Sequence, residues 1–384
     1  MEYKIPVDKI TQLAQGKWLD ILQSLAPTLQ NAVAKKGKNV NCPFPLRHGR
    51  SQGKSKFRIW KYDTGTAICT CGRYSGIDLI KEANSWTFFE TIEAINTYLG
   101  DPCGIGAQDK TLSPQQVLAR KKASEDRLKA LKAESEKKMR EQADQQKKLD
   151  SMNALNLKQL WETSVDVSSF EAKSLWRYLF SRGIDARVTE KVTTALRYHE
   201  AIPFFDEKGN KTTHPGMLGI LTDPSGKALT IHRTYLDQKG NKAKLPGQKG
   251  SKLLMPYPSS VSLKGGAIKL CKPNACLSVT EGIETAFSVL EATGTPTWAT
   301  YSAYALENLD LETLIKGGLK TLYIWADKDV SETGQKSAQI LFDRASELGL
   351  QAKIMLPSLA IPEGKKSIDW ADVLELNLPF PSLL

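Results

Sequence analysis

The apolar residues of this chain change their rhythm several times. Over residues 8–33, Ile10, Leu13, Trp18, Leu19, Ile21, Leu22 and Leu25 recur at mostly helical spacing, which predicts a helix. Next comes a compact segment, about 36–76. In it Phe57-Arg-Ile-Trp-Lys-Tyr62 alternates as a strand and Asp63-Thr-Gly65 turns the chain back. Two short helices follow. The second is expected to start at Thr87, with Glu90 three residues on as a capping box, and to run to Leu99. From 107 to 160 apolar residues are sparse, and glycine is absent from Ala107 to Ser164. Ser113-Pro114-Gln115-Gln116 is a helix start, with serine as cap and proline at the first position. Beyond 165 the pattern is mixed. Glu171–Arg182 reads as a helix ended by Gly183. Short strands then alternate with the turns Asp206-Glu-Lys-Gly209, Asp223-Pro-Ser-Gly226 and Asp237-Gln-Lys-Gly240. From 267, the apolar runs 277–280, 322–326 and 352–356 are separated by helical stretches at 283–292 and 335–348. That alternation predicts a parallel α/β sheet.

These rhythms divide the 384 residues into four parts: 1–106, a charged helical linker at 107–164, a mixed α+β part at 165–266, and a parallel-sheet domain at 267–384. The fold class is multidomain α/β, as the length suggests. Hydrophobic residues make up 41% and charged residues 25%, values of an ordinary globular chain. No run of about 18 apolar residues occurs, so no membrane partner is expected. The first residues carry no basic segment followed by an apolar core, so a cytoplasmic location is expected. Val117–Asp150 holds eleven Lys/Arg and seven Asp/Glu, which reads as a solvated helical spacer; the alternative for the same segment is an interaction helix. The net charge of +11 favours polyanionic partners, nucleic acid first.

Six cysteines are present. Three of them gather with a histidine: Cys42-Pro-Phe-Pro-Leu-Arg-His48, twenty residues, then Cys69-Thr-Cys71. Two close ligand pairs joined by a hairpin suit a structural, tetrahedral zinc ribbon with Cys42, His48, Cys69 and Cys71 as ligands. Cys103, Cys271 and Cys276 have no such company and read as spectators. Lys35–Lys61 contains nine Lys/Arg and no acid, interleaved with Phe44, Phe57, Trp60 and Tyr62. Cations meet phosphates and aromatic faces stack on unpaired bases, so Arg58, Trp60 and Tyr62 are expected to face single-stranded DNA. The competing reading is an aromatic core with a basic rim. Gly49-Arg-Ser-Gln-Gly53-Lys54-Ser55 imitates a P-loop but is one residue short between its glycines and follows no buried strand, so no fused helicase is expected.

A second constellation is acidic. The run 277–280 leads at once into Glu281-Gly282, and the run 321–326 leads into Asp327-Lys-Asp329. Sites in parallel sheets form beyond the carboxyl ends of strands. Residues two apart on an extended chain share a side, so Asp327 and Asp329 are expected to hold a hard cation together with Glu281. Magnesium prefers such oxygen ligands. Asp369, in Asp369-Trp-Ala-Asp372, suits a second metal and a helix cap equally. Arg233, Lys242, Lys244 and Lys252 are candidates for gripping phosphates of template or nucleotide, against the plainer reading of a basic exposed hairpin. His199, His214 and His232 read as structural or exposed.

The Glu281-Gly and Asp327-Lys-Asp329 pair resembles the Toprim signature of bacterial-type primases, topoisomerases and some nucleases. Cys42-Pro-Phe through Cys71-Gly, with Gly76-Ile-Asp-Leu-Ile after it, resembles the zinc module of plasmid- and phage-type primases. Gln15-Gly-Lys-Trp18, Trp176 to Gly183 and His232-Arg-Thr-Tyr-Leu-Asp237 fit the same pattern. The resemblance implies a DNA primase. It would make short RNA primers on single-stranded DNA from ribonucleoside triphosphates, with structural zinc, catalytic magnesium and a separate helicase partner. Glu281 would be the catalytic acid or base, Asp327 and Asp329 metal ligands, and residues 267–384 the Toprim domain. Arg233 and the following lysines would fall in the amino-terminal half of the polymerase core. Two departures stand out: Cys69-Thr-Cys71 where the family more often has two residues between cysteines, and Val330-Ser-Glu-Thr-Gly334 after the acid pair. Competing readings are a zinc and Toprim DNA-binding factor without polymerase activity, and a Toprim nuclease.

Overall fold

A computed structural model describes residues 7–44, 56–100, 113–192, 194–248 and 250–383. The chain forms two compact units, 1–146 and 147–384.

The first unit opens with α1 (Val7–Ala14), α2 (Trp18–Leu25), a 3-10 turn at Pro27–Leu29, and α3 (Gln30–Ala34). The single helix expected over 8–33 is thus broken twice. Gly16 takes a left-handed φ of 77° at the first break. At the second, Pro27 lacks the N–H that a continuing helix would need. Strands β1 (Arg58–Lys61), β2 (Thr66–Cys69) and β3 (Gly72–Tyr74) form an antiparallel sheet in that order. Helices α4 (Gly76–Asn84) and α5 (Phe88–Tyr98) follow. Ser75 and Thr87 cap them, and Asp78 and Glu90 return the favour to the cap N–H groups, which closes two reciprocal boxes. The Trp18 ring lies so close to α4 that a Cβ on Gly76 would sit 2.3 Å from it; only glycine lets the helix approach. Phe57, Ile59, Leu79, Ile92 and Ile95 complete the buried centre.

Helix α6 spans Pro114–Glu162. Ser113 starts it: its Oγ accepts from the Gln116 N–H at 3.3 Å, and its own N–H donates to Gln116 Oε1 at 2.7 Å. In the second unit the last turns of α6 pack Leu157, Leu160 and Trp161 onto a sheet. Asp150 accepts from Ser259 N and Oγ at 2.9 and 2.7 Å.

That sheet contains β4 (Val165–Asp166), then, after α7 (Lys173–Ser181), β5 (Leu196–Phe205), β6 (Lys211–Thr222), β7 (Ala228–Tyr235) and β8 (Lys252–Leu254). It is antiparallel throughout, in chain order. Its strands run to 10 and 12 residues, longer than the short strands expected. The Asp-x-x-Gly turns punctuate it: Asp206, Asp223 and Asp237 each accept from the backbone N–H four residues on.

The second sheet holds β9 (Ile268–Lys269), β10 (Cys276–Thr280), β11 (Thr297–Ala299), β12 (Thr321–Trp325) and β14 (Gln351–Met355), with α8 (Ile283–Thr293), α9 (Ala303–Glu307) and α10 (Leu311–Lys316) between. A short pair, β13 (Lys328–Asp329) with β15 (Ser367–Ile368), flanks α11 (Thr333–Glu347), and α12 (Trp370–Glu375) ends the chain's regular structure. The strand order is β14-β12-β10-β11-β9, parallel except for β9. The order therefore reverses at β10, a topological switch point. Met217 and Leu221 of β6 share a core with Ile268, Ile283 and Phe287, which fixes the two sheets to each other. Among the described residues, no helix is long and apolar enough to cross a membrane.

Candidate active site and metal cluster

Strand register alone brings the acids together. Thr280 pairs with Trp325 across β10 and β12, so the carboxyl ends of both strands are level. Glu281 leaves one and Asp327 the other at the same edge. Asp369 arrives as the N-cap of α12, whose Trp370 packs edge-on against Trp325 at 4.8 Å. These acids line a cavity of about 150 Å³ together with Arg182, His232, Lys242, Lys252, Glu284 and Tyr301.

The electrostatics are those of a cation site. Burial first, then the carboxylates of Asp369 and Glu281, push Asp327 up to about 8. Its Oδ1 is buried without a hydrogen-bond partner. Burial likewise raises Glu281 and Asp369. A buried orphan oxygen among mutually repelling hard donors fits magnesium. Glu281, Asp327 and Asp369 would hold it.

Asp329 is placed differently from Asp327. Burial works to raise it, but bonds from Ser331 Oγ, Gly334 N and Thr333 N together hold it below its ordinary value. Gly334 N donates to Oδ2 at 2.9 Å and Thr333 N to Oδ1 at 3.2 Å, so Asp329 anchors the start of α11. A Cβ on Gly334 would lie 2.8 Å from the Asp327 carbonyl oxygen, so this turn requires glycine.

Opposite the acids stand cations. Lys252 Nζ lies 2.7 Å from Glu284 Oε2, and Tyr178 O–H donates to Glu284 Oε1 at 2.6 Å. Burial would raise Glu284, but Lys252 and Lys242 hold it well below the carboxylate range. Arg182, at the end of α7, reaches Asp369 at 3.6 Å and Asp372 at 3.7 Å. Asp369 Oδ1 also accepts from Asp372 N at 2.9 Å, so Asp369 is a helix cap and a wall of the cavity at once.

Residues 276–379 match the Toprim domain profile, and residues 151–261 match a domain of unknown function (DUF7146). The carboxyl-terminal parallel sheet is a Toprim domain. No curated protein sequence matches the chain. Among solved structures, the DnaG primase catalytic domain bound to single-stranded DNA is 14% identical, with a TM-score of 0.39 over 61% of this chain and 78% of that one. A DNA primase domain from Pseudomonas aeruginosa is 13% identical, with a TM-score of 0.38 over 57% and 73%. The Aquifex aeolicus primase, comprising zinc-binding and RNA polymerase domains, is 12% identical, with a TM-score of 0.38 over 93% of this chain and 82% of that one.

In the first unit, Cys42, Cys69 and Cys71 gather with their sulfurs within 4.8 Å of one another, a set that can hold a metal ion. Cys71 Sγ lies 3.1 Å from the Tyr74 hydroxyl, and Phe44 N donates to Cys42 Sγ at 3.4 Å. Burial and the neighbouring sulfurs push the Cys42 thiol up to about 12, the mark of crowding that a cation would relieve. His48 and the Gly49–Ser55 segment lie outside the described residues.

The interleaved aromatics divide. Phe44 and Phe57 pack with Tyr74 in the core, at centroid distances of 5.5 and 6.5 Å. Trp60 and Tyr62 face outward, 47% and 38% exposed, and Arg58 is half-buried at the start of β1. Lys61 and Arg73 lie over the Trp60 ring at 5.1 and 5.6 Å.

Of the four cations expected to grip phosphates, Lys242 and Lys252 line the Toprim cavity. Lys244 is exposed outside it. Arg233 donates to the Leu254 carbonyl at 2.9 Å and lies over Tyr235. Sequence reasoning missed Arg182, Glu284 and Tyr301. It also placed His232 among structural or exposed residues; His232 is buried, its Nδ1 has no partner, and burial pulls its pKa to about 4. Glu284 left one signal: it stands three residues after Glu281, in the first turn of α8.

Proposed function

We propose that this chain is a DNA primase, synthesising short RNA primers on single-stranded DNA by magnesium-dependent nucleotidyl transfer. One observation carries the reading. At the switch point of a Toprim sheet, Glu281, Asp327 and Asp369 line one cavity, Asp327 keeps a buried oxygen without a partner, and Arg182, Lys242 and Lys252 of the 151–261 segment line the same cavity.

Magnesium, held by Glu281, Asp327 and Asp369, would supply a Lewis acid for the attacking hydroxyl and positive charge for the phosphoryl group. The chain's own groups do the rest. Lys252, clamped by Glu284, and Lys242 meet the triphosphate. Glu281, raised by burial, accepts the proton of the primer 3′-hydroxyl as its oxygen bonds the α-phosphorus and pyrophosphate departs. Asp329 keeps Asp327 in place through the turn into α11 and faces Glu281 electrostatically. Arg182 orients Asp369. In the first unit Cys42, Cys69 and Cys71, with His48 as fourth ligand, hold structural zinc, and Arg58, Trp60 and Tyr62 read the template strand. A cytoplasmic replication role beside a separate helicase completes the proposal.

The test incubates the full chain with single-stranded DNA, labelled ribonucleoside triphosphates and magnesium, beside Glu281→Gln and Asp327→Ala. Short RNA from wild type alone supports the reading. Cleavage of labelled DNA without nucleotides would replace it with a nuclease, and tight binding without product with a binding factor.

A further inference from the structure

Tyr301 carries a conformational cost at the edge of the acid cavity. It has a left-handed φ of 60°. For a bulky residue this conformation is an outlier, and glycine or asparagine would take it readily. The turn itself is held by its neighbours. Thr300 Oγ1 donates to the Thr280 carbonyl at 3.0 Å, and Ser302 Oγ accepts from the Ala305 N–H at 3.2 Å as the cap of α9. The Tyr301 ring also rests against the core that holds Ile283 and Phe287, and its hydroxyl bonds Ser302, so one edge of the ring is anchored. What tyrosine adds is a ring, half-buried, at the wall of the acid cavity. Among the described residues lining that cavity, the buried His232 imidazole is the only other ring.

Size says what the ring would meet. Pockets that enclose a whole organic ligand run to about 300–1,000 Å³. This one is about 150 Å³ and its walls are charged, so it suits phosphates and leaves the base outside. Tyr301 is an uncharged ring among the charged walls. Tyr304, 61% exposed, and Tyr257 lie near enough to act on its hydroxyl.

We propose that the Tyr301 ring, presented by a strained turn at the carboxyl end of β11, stacks on the base of the nucleoside triphosphate whose phosphates occupy the Toprim cavity. This rests on the nucleotidyl-transfer reading and adds a specificity residue to it. Stacking is tolerant of base identity, because every base has a π-face. The residue thus selects for nucleotides over bare polyphosphates and not for one base over another.

The test measures binding of ATP, GTP and inorganic tripolyphosphate to the full chain with magnesium, by calorimetry, for wild type, Tyr301→Phe and Tyr301→Asn. Asparagine accepts the left-handed backbone and removes the ring. Tripolyphosphate reports the cavity alone and serves as the folding control. The expected result is ATP and GTP affinity reduced about 5- to 150-fold in Tyr301→Asn, from the usual range for one stacked base. Tripolyphosphate binding stays unchanged, and Tyr301→Phe stays within about twofold of wild type for the nucleotides, since a phenyl face stacks as a phenol face does. Equal loss for tripolyphosphate and nucleotides, or no loss in Tyr301→Asn, overturns this inference while leaving nucleotide binding intact. If wild type binds neither ATP nor GTP, the nucleotidyl-transfer reading falls and this inference with it.

Discussion

The Lys252–Glu284 pair makes an asymmetric prediction. The two partners differ in access to water: the Lys252 side chain is 38% exposed and that of Glu284 5%. Removing one member of a buried pair is damaging mainly through the charge left behind. In Glu284→Gln the stranded group is an ammonium that can reach solvent, and Tyr178 still has an oxygen to donate to. The loss should be that of one charged hydrogen bond, discounted for exposure, about 1–2 kcal/mol. In Lys252→Met the stranded group is a carboxylate that cannot reach water. It will take up a proton instead. From an ordinary value of 4.5, protonation at pH 7 spans 2.5 units, which caps the cost at about 3.4 kcal/mol.

The pH dependence separates the variants. In wild type Glu284 is depressed, so its contribution is present above 4.5 and is lost only as pH falls through its lower folded value. Lys252 is raised, so its contribution is present below 10.5 and is lost only as pH rises through its higher folded value. Between pH 5 and 8 both are at full strength. In Lys252→Met the sign for Glu284 inverts: a raised carboxyl loses stability as pH rises from 4.5. Urea unfolding of the full chain, followed through the transition of the carboxyl-terminal unit, should show Lys252→Met costing under about 1 kcal/mol at pH 5 and about 3 at pH 7. Glu284→Gln should be flat over that range. Lys252 also offsets Glu281 and Asp327, so the double variant isolates Glu284 and should lose less than the two single losses combined. A Lys252→Met cost that is independent of pH, or smaller at pH 7 than that of Glu284→Gln, would refute a charged, buried Glu284.

Three further outcomes follow from the two sites. Because Asp327 is raised to about 8, the metal-free protein loses stability as pH rises from about 4 to 8; melting temperatures of wild type minus Asp327→Asn, with and without magnesium, should fall over that window and recover when the metal is added. The comparison with Asp327→Asn cancels His232, whose lowered value makes stability fall instead as pH drops through 6.5 to about 4. Removing zinc with a chelator, or Cys69→Ser, should unfold the first unit by circular dichroism and leave the Toprim unit's melting transition in place, since the cysteines join a core with Phe44 and Phe57. Trp60→Ala should weaken single-stranded DNA binding about 5- to 150-fold at constant salt with no change in melting, whereas Phe57→Ala, fully buried, should cost about 3–5 kcal/mol of stability.

What the sequence disclosed and what it hid divide along a physical line. Local chemistry was legible. The Thr87 and Glu90 box, the Ser113 cap and the three Asp-x-x-Gly turns depend on groups within four residues of one another. The runs at 277, 322 and 352 became β10, β12 and β14 within a residue at each end; β10 and β12 are buried on both faces and read as nearly continuous apolar runs, while β14, at the sheet edge, is buried only at Met355. Strand β11 escaped, being three residues long and preceded by Pro296. The acids Glu281 and Asp327 could be placed because register fixes strand ends, and register is itself a consequence of the apolar pattern. Asp329 is less legible than Asp327, although it lies near enough to act on Glu281. The chain turns into α11 directly after it, so the backbone N–H groups of that turn claim both its oxygens.

The partners of those acids were hidden because nothing local marks them. An acid in the first turn of a helix is ordinarily a solvated complement to the helix dipole, and that is how Glu284 reads in isolation. Its burial is decided by Tyr178, 106 residues away, and by Lys252, 32 residues away. Arg182 is an unremarkable basic residue at the end of α7 until α12 delivers Asp369 and Asp372 to it. In both cases the antiparallel sheet unit supplies the cation or hydroxyl and the Toprim sheet supplies the carboxylate. The three acids could therefore exist on a Toprim sheet alone, but their charge balance could not. The 151–261 segment thus supplies the cations that offset the acids: Lys252 lowers both Glu281 and Asp327, against the burial that raises them.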